Sequence, residues 1–235
     1  MSASKKLNTT KKEIIQTAIR LFLERGFSNT SVKLISDKLG ISTGNLTFHY
    51  PTKEHLLAVL VEMLCDFQWS SMETALEEGS SPLMALCLEL SAMAAMCEEN
   101  EIARDFYLSA YTHPVTLDTI RVSDKNKAKK LFASYCVGWD DTYFAEAETL
   151  VSGIEYATLM TTGDSVSLET RIAGALDHIL TVYGVPEEIR KTKIKKVLRI
   201  DYRKIGQRVL REFKEFIDRE NELAMEELIN AKSKQ

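Results

Sequence analysis

The residues best placed for recognition chemistry fall in one short stretch, Gly40-Ile41-Ser42-Thr43-Gly44-Asn45-Leu46-Thr47-Phe48-His49-Tyr50-Pro51-Thr52-Lys53. An asparagine amide carries a donor and an acceptor side by side and can pair with N6 and N7 of adenine, while threonine and phenylalanine can touch a thymine methyl. Gly44, without a Cβ, lets the backbone come close to a base edge or a phosphate. A row of Thr43, Gly44, Asn45, Thr47, Phe48 and His49 is odd for a solvated helix face, where Glu and Lys are expected, and suits a DNA major groove better. The plainer alternative is a short connecting helix whose polar side touches nothing.

The local sequence explains how such a row would be held. Gly40 can end one helix in the left-handed conformation, and Ser42 can cap the next by accepting from the Asn45 N–H, which makes a tight helix-to-helix turn. Leu46 and Tyr50, four apart, share the inward face of a helix running from about Thr43 to Tyr50, and Pro51 stops it. Before this joint, Ile14, Ile15, Ala18, Ile19, Leu21, Phe22 and Leu23 recur at helical spacing from about Thr10, and Gly26 ends that helix. Ser31 can cap a second, with Val32, Leu34, Ile35 and Leu39. After the joint, Thr52 is expected to cap a long fourth helix, with Leu56, Leu57, Leu60, Val61, Leu64 and Phe67 along its buried stripe, running to near Glu78. Residues 1 to 8 read as a flexible basic arm.

Other chemistries find little support. The chain contains no HExxH, P-loop, GxGxxG or GxSxG pattern, and His49, His55, His113 and His178 are scattered, so an all-α enzyme is the weakest of the functional alternatives. Cys65, Cys87, Cys97 and Cys136 show no metal-ligand spacing and read as reduced, buried thiols; no metal or cofactor is expected. The 235 residues are 45% hydrophobic, ample for a packed core. The greasiest run, Leu83 to Cys97, is interrupted by Glu89 and is too short to span a membrane, and no signal peptide opens the chain, so a cytoplasmic protein is expected. Charge divides by region. Up to His55 there are nine basic and four acidic residues, a balance of +5, which leaves −9 for the rest of a chain whose net charge is −4. A basic head on an acidic body points to a polyanion as the partner of the head alone.

Beyond the fourth helix, Gly79-Ser80-Ser81-Pro82 is a break, with Ser81 as cap and Pro82 at the first helical position. Helices are expected over Leu83 to Glu99, Ile102 to Tyr111, Pro114 toward Ser134, Asp140 to Thr161 and Leu168 to Tyr183, the last two split at Gly163-Asp164. From Pro186 one or two charged amphipathic helices close the chain, read either as a solvated face or as packing on a partner subunit. No strand is expected. The fold class is therefore all-α, with a helix-turn-helix domain at 8–68, whose fourth helix is shared with the body, and an all-helical domain at 69–235.

Residues of about 10 to 65 resemble the DNA-binding domain of TetR-family transcriptional regulators. The resemblance rests on Ile14-Ile15, Ala18, Leu21-Phe22 and Gly26-Phe27, on Thr30-Ser31-Val32 and Ile35-Ser36, and on Gly40-Ile41-Ser42, Gly44-Asn45-Leu46, His49-Tyr50-Pro51-Thr52-Lys53-Glu54 and Leu56-Leu57. It implies base-reading roles for Thr43, Asn45, Phe48 and His49 and a phosphate contact for Lys53. Helix-terminal N–H groups beside Lys53 independently favour an anion there. Ser31, Lys33, Ser42, Gly44 and Thr47 complete the DNA-facing set. The family usually has Tyr where this chain has Thr47, which keeps the hydroxyl but loses reach.

The resemblance further implies a homodimer formed by the last two core helices, where the small residues Ala145, Ala147, Ser152, Gly153, Ala157, Ala173, Gly174 and Ala175 permit close approach. It also implies a small-molecule site among the earlier helices. There Met63, Phe67, Trp69, Met72, Met84, Cys87, Met93, Met96, Phe106, Tyr107 and Tyr111 suit an apolar or amphipathic effector, and suit a plain core equally well. The resulting expectation is a ligand-responsive repressor that binds a palindromic operator as a homodimer; a DNA-binding regulator controlled by a protein partner is the alternative.

Overall fold

The structure, a computed structural model, describes residues 3–75, 81–161 and 166–233, with side chains described from residue 11 to 219. Among these residues there are eleven α-helices and no strand. The head is built from α1 (Ala3–Arg25), α2 (Val32–Leu39) and α3 (Thr43–His49), and α4 (Lys53–Ala75) leads from it into the body. The body comprises α5 (Pro82–Glu99), α6 (Glu101–Thr112), α7 (Pro114–Leu131), α8 (Asp141–Met160), α9 (Leu168–Val182), α10 (Glu187–Val197) and α11 (Tyr202–Ser233). The expected end of the fourth helix near Glu78, the break at Gly79 and Ser80, and the split at Gly163-Asp164 lie outside the described residues. No described helix is long and apolar enough to cross a membrane.

One expectation about the head is corrected. The supposed arm is helical from Ala3, because α1 extends backward past Thr10. The stretch before Thr10 contains no Pro or Gly, and adding turns to a helix already anchored by buried Ile14, Ala18 and Phe22 costs far less than nucleating one.

The body is arranged around α5. Every residue from Leu90 to Cys97 is buried, as befits a helix apolar on all sides, and it packs against α4, α6, α8, α9, α10 and α11. The chain's last helix accounts for one of those faces. α11 lays buried Tyr202, Val209, Phe213 and Ile217 against its own subunit, and Phe67 of α4 meets Phe213 and Phe216 at ring distances of 5.3 Å. The crossing is close at Gly206, where a Cβ would stand 3.0 Å from the Ala92 carbonyl oxygen and 3.1 Å from Met96 Cγ. Arg203 and Gln207 hold Glu99 at the end of α5, and Arg171 of α9 holds Glu98 at 2.7 Å. Lys204, Gln207, Arg211 and Glu215 are exposed, as expected of a solvated amphipathic face, while the apolar side of residues 202–217 completes the core of this subunit.

Candidate functional site

The joint between α2 and α3 is set by its backbone. Gly40 has φ 63° and ψ 29°, its N–H donates to the Asp37 carbonyl at 3.3 Å, and the Ile41 N–H donates to Ser36 at 3.1 Å. This pair of bonds closes a helix on a left-handed residue. The Ser42 and Ser31 hydroxyls each accept from the backbone N–H three residues on, Asn45 and Leu34, at 3.1 Å. Leu46 is fully buried and fixes the inward side of α3. Thr52 does not cap α4 as expected: its hydroxyl pairs with the His55 ring at 2.9 Å, while its carbonyl accepts the His55 N–H.

The outward side of α3 presents Ser42, Thr43, Gly44, Asn45, Thr47 and Phe48, all exposed, with His49 half-buried. Phe48 is 74% exposed, so it does not pack between α3 and α4. Its ring meets the edge of His49 at 5.3 Å, and the buried Nδ1 of His49 has no hydrogen-bond partner. The Thr47 hydroxyl donates back to the Thr43 and Gly44 carbonyls, at 3.1 and 3.3 Å. A Cβ on Gly44 would find only Ser42 Oγ, 3.9 Å away. Nothing inside the chain requires glycine at this helical position, where it costs about 1 kcal/mol relative to alanine. Lys33 is exposed on α2.

Lys53 is placed differently from a free phosphate ligand. Its ammonium donates to the Phe27 carbonyl at 2.8 Å and lies 3.8 Å above the Phe27 ring, and burial lowers its pKa. One of its three donors is thus used to tie α4 to the α1–α2 turn. Asp105 of α6 grips the same turn from the body, accepting from the Ser28 N–H at 3.0 Å and from the Ser28 hydroxyl. His113 approaches the Phe27 ring at 5.6 Å. Gly26 sits in this clasp with φ 88°, and a Cβ there would fall 2.6 Å from an Asp105 carboxylate oxygen. Sequence reading missed Asp105 and His113, because their partners lie far away in the chain; the sole sign was a glycine, and that was explained as a helix end.

In the body, the expected effector residues separate. Met93, Phe106, Tyr107 and Tyr111 line a cavity of about 70 Å³ enclosed by α4 to α9. Met96 borders a smaller void of about 40 Å³ toward α11, and Trp69 faces an open groove between α4, α7 and α10. Met72, Met84 and Cys87 are plain core, and Phe67 packs on α11; with Met63, they line none of these spaces, because helical spacing records burial and not whether a neighbour fills the room. The larger cavity is also not apolar throughout. Gln68, Glu89, Asp124, Lys127, Glu148, Glu155 and Tyr183 line it too.

The last core helices leave Ala145, Leu150, Gly153 and Ala157 exposed on α8, with Ala173 and Gly174 half-buried on α9. Both glycines face open space. Ala147, Ser152 and Ala175 are corrected: all three are buried within the subunit, and Ser152 accepts a 3.0 Å bond from Arg121. Their helical phase points them inward. The cysteines are free, and burial pushes the Cys65, Cys87 and Cys97 thiols up to about 12, which leaves them unreactive.

Comparison with known proteins agrees with this geometry. Residues 14–60 match the model described as bacterial regulatory proteins, tetR family. The uncharacterized HTH-type transcriptional regulator YerO of Bacillus subtilis is 28% identical over 164 residues, which cover 64% of this chain and 55% of that protein. The HTH-type transcriptional repressor KstR2 of Mycolicibacterium smegmatis is 31% identical over 74 residues, covering 32% of this chain and 36% of that one. The chain thus spans about half or less of the length of the curated relatives it matches. Among solved structures, RolR with its ligand resorcinol superposes with a TM-score of 0.64 at 15% identity, over 81% of this chain and 95% of that one; the likeness is one of fold.

Proposed function

We propose that this TetR-family chain is a transcriptional regulator, a repressor that binds a near-palindromic operator as a homodimer and releases it when a small molecule enters the body. The observation that carries the reading is the outward side of α3. It exposes Thr43, Asn45 and a phenylalanine at 74% exposure beside a glycine for which the fold has no use, on a helix anchored by fully buried Leu46. A major groove uses all of these features: amide and methyl contacts at base edges, and close backbone approach.

Dimerisation is supported by the exposed Leu150, Gly153 and Ala157 and the open space beside Gly153 and Gly174. Two short recognition helices together supply the contact area that one lacks. Ligand response is supported by the interior cavity, by α4 running from Lys53 to Met72 beside it, and by the Asp105 clasp, which gives the body a second grip on the head. That RolR was solved with resorcinol, and that KstR2 is a repressor, lend the reading weight as relatives' properties. Selection of bound duplexes from a random pool, followed by gel shift, tests it. Enrichment of a two-fold symmetric site is expected, and a chain that retains no duplex above the non-specific level refutes the reading.

A further inference from the structure

The cavity enclosed by α4 to α9 has a chemistry that its apolar walls conceal. Its carboxyls are Glu89, Asp124, Glu148 and Glu155, and its one ammonium, Lys127, is already engaged by Asp124 at 3.2 Å and Glu89 at 3.7 Å. Glu148 and Glu155 stand two turns apart on the same side of α8, and each has only a phenol as partner. Tyr111 donates to Glu155 at 2.9 Å and Tyr183 donates to Glu148. Among the described residues neither carboxyl forms an ion pair with a Lys or Arg. Burial raises the Glu155 pKa well above the ordinary range and pushes Glu148 up to about 7, and the positive charges of Lys127 and Arg121 nearby draw Glu148 only partway back.

A second, independent feature is the amide of Gln68, which lines both this cavity and the smaller void toward α11. Gln68 of α4 is only 3% exposed; its Oε1 accepts from the Tyr107 hydroxyl at 3.2 Å, while Nε2 is buried with no partner at all. An unsatisfied amide end in a cavity is costly unless something occupies it. Size is bounded too: about 70 Å³ compares with the roughly 10–15 Å³ one water needs on the same measure, room for about five waters or a ligand of roughly five to eight non-hydrogen atoms. Lys127 also lines the open groove outside, so it stands in the wall between groove and cavity and marks the side from which a ligand would enter.

We infer that this cavity takes a compact organic cation, an amine whose ammonium is received by the carboxyls of Glu148 and Glu155 and whose far side carries a hydrogen-bonding group for Gln68. The aromatic walls, Phe106, Phe132 and Tyr107, suit the same ligand, since ring faces attract a cation. The inference rests on the reading of the body as an effector domain and narrows the effector from apolar or amphipathic to cationic.

The test uses the full chain and three small probes that differ in charge at one end, benzylamine, benzyl alcohol and the one-atom-larger benzoate, titrated by calorimetry; none carries a group for Gln68, so they read the carboxyl end alone. The amine is expected to bind at least about tenfold more tightly than the alcohol, with benzoate weakest. Glu148→Gln and Glu155→Gln are each expected to weaken the amine about tenfold and leave the alcohol unchanged, since glutamine still accepts from the tyrosine phenols. An alcohol or benzoate bound as tightly as the amine, an amine indifferent to both substitutions, or no amine binding at millimolar concentration overturns the inference. If a substituted chain fails to fold, the ranking of the three probes on the unsubstituted chain decides. Duplex binding by the unliganded chain is measured alongside. Duplex bound with the amine refused overturns the cation site alone, whereas amine bound with no duplex retained upholds the cavity assignment and overturns the regulator reading.

Discussion

Phe48 and Leu46, two residues apart, separate what binds from what folds. Leu46 is fully buried, so Leu46→Ala should cost about 2–5 kcal/mol of stability. Phe48 is 74% exposed, so Phe48→Ala should leave stability within about 0.5 kcal/mol yet weaken operator binding. Denaturant melts and gel shifts on both variants check this, and a Phe48→Ala chain that loses stability but not affinity would give Phe48 a packing role instead. Asn45 and Lys53 divide the binding in another way. Asn45→Ala should relax one operator position by about 1–3 kcal/mol, while Lys53→Ala should weaken all sequences alike and lower the salt slope by about one. Because the Lys53 ammonium also holds the Phe27 carbonyl, a salt slope unchanged by Lys53→Ala would reduce its role to that clamp. The outward row on α3 was legible in the sequence because a seven-residue helix anchored by one leucine has its faces fixed by spacing alone. The clamp at Lys53 was not, since its partner is 26 residues away.

At the scale of elements, the local devices could be read and the long-range ones could not. The caps at Ser31 and Ser42 and the left-handed Gly40 depend on neighbours within six residues, and all three appear as expected. The docking of α11 on α5 depends on Gly206 meeting Ala92 across more than a hundred residues, and its charged outer face disguised it as a solvated helix. The clasp of α6 on the α1–α2 turn is of the same kind, and it carries a prediction. Gly26→Ala combines a left-handed backbone, costing about 1–2 kcal/mol for an L residue, with a methyl driven toward the Asp105 carboxylate. The clasp should open. Head and body would then communicate through α4 and the packing of α1 on α6 and α11, without the clasp, so operator binding should survive while its response to effector shrinks. Gel shifts with and without effector measure this directly; an undiminished response would show that the clasp is not needed.

For the whole molecule, the division between a basic head and an acidic body is visible in composition, whereas the character of the interior is not. Glu148 and Glu155 both line the cavity from α8, and the helical phase that places them there also buries Ser152. The exposed residues of that helix include Leu150, Gly153 and Ala157, and they are expected to face a second copy of the chain. Leu150→Glu, which adds a charge to that face without touching the core, should give a folded monomer by light scattering and lower operator affinity in the same proportion of samples. A folded dimer with full affinity would place the interface elsewhere.

The measurement that bears most directly on the account as a whole is selection of duplexes from a random pool by the intact chain, followed by titration against the selected site and its isolated half. A near-palindrome is expected, with half-sites centred about one duplex turn, roughly 34 Å, or a multiple of it apart, and with the half-site bound far more weakly than the whole. An unsymmetric site, or a half-site bound as tightly as the full one, would contradict it.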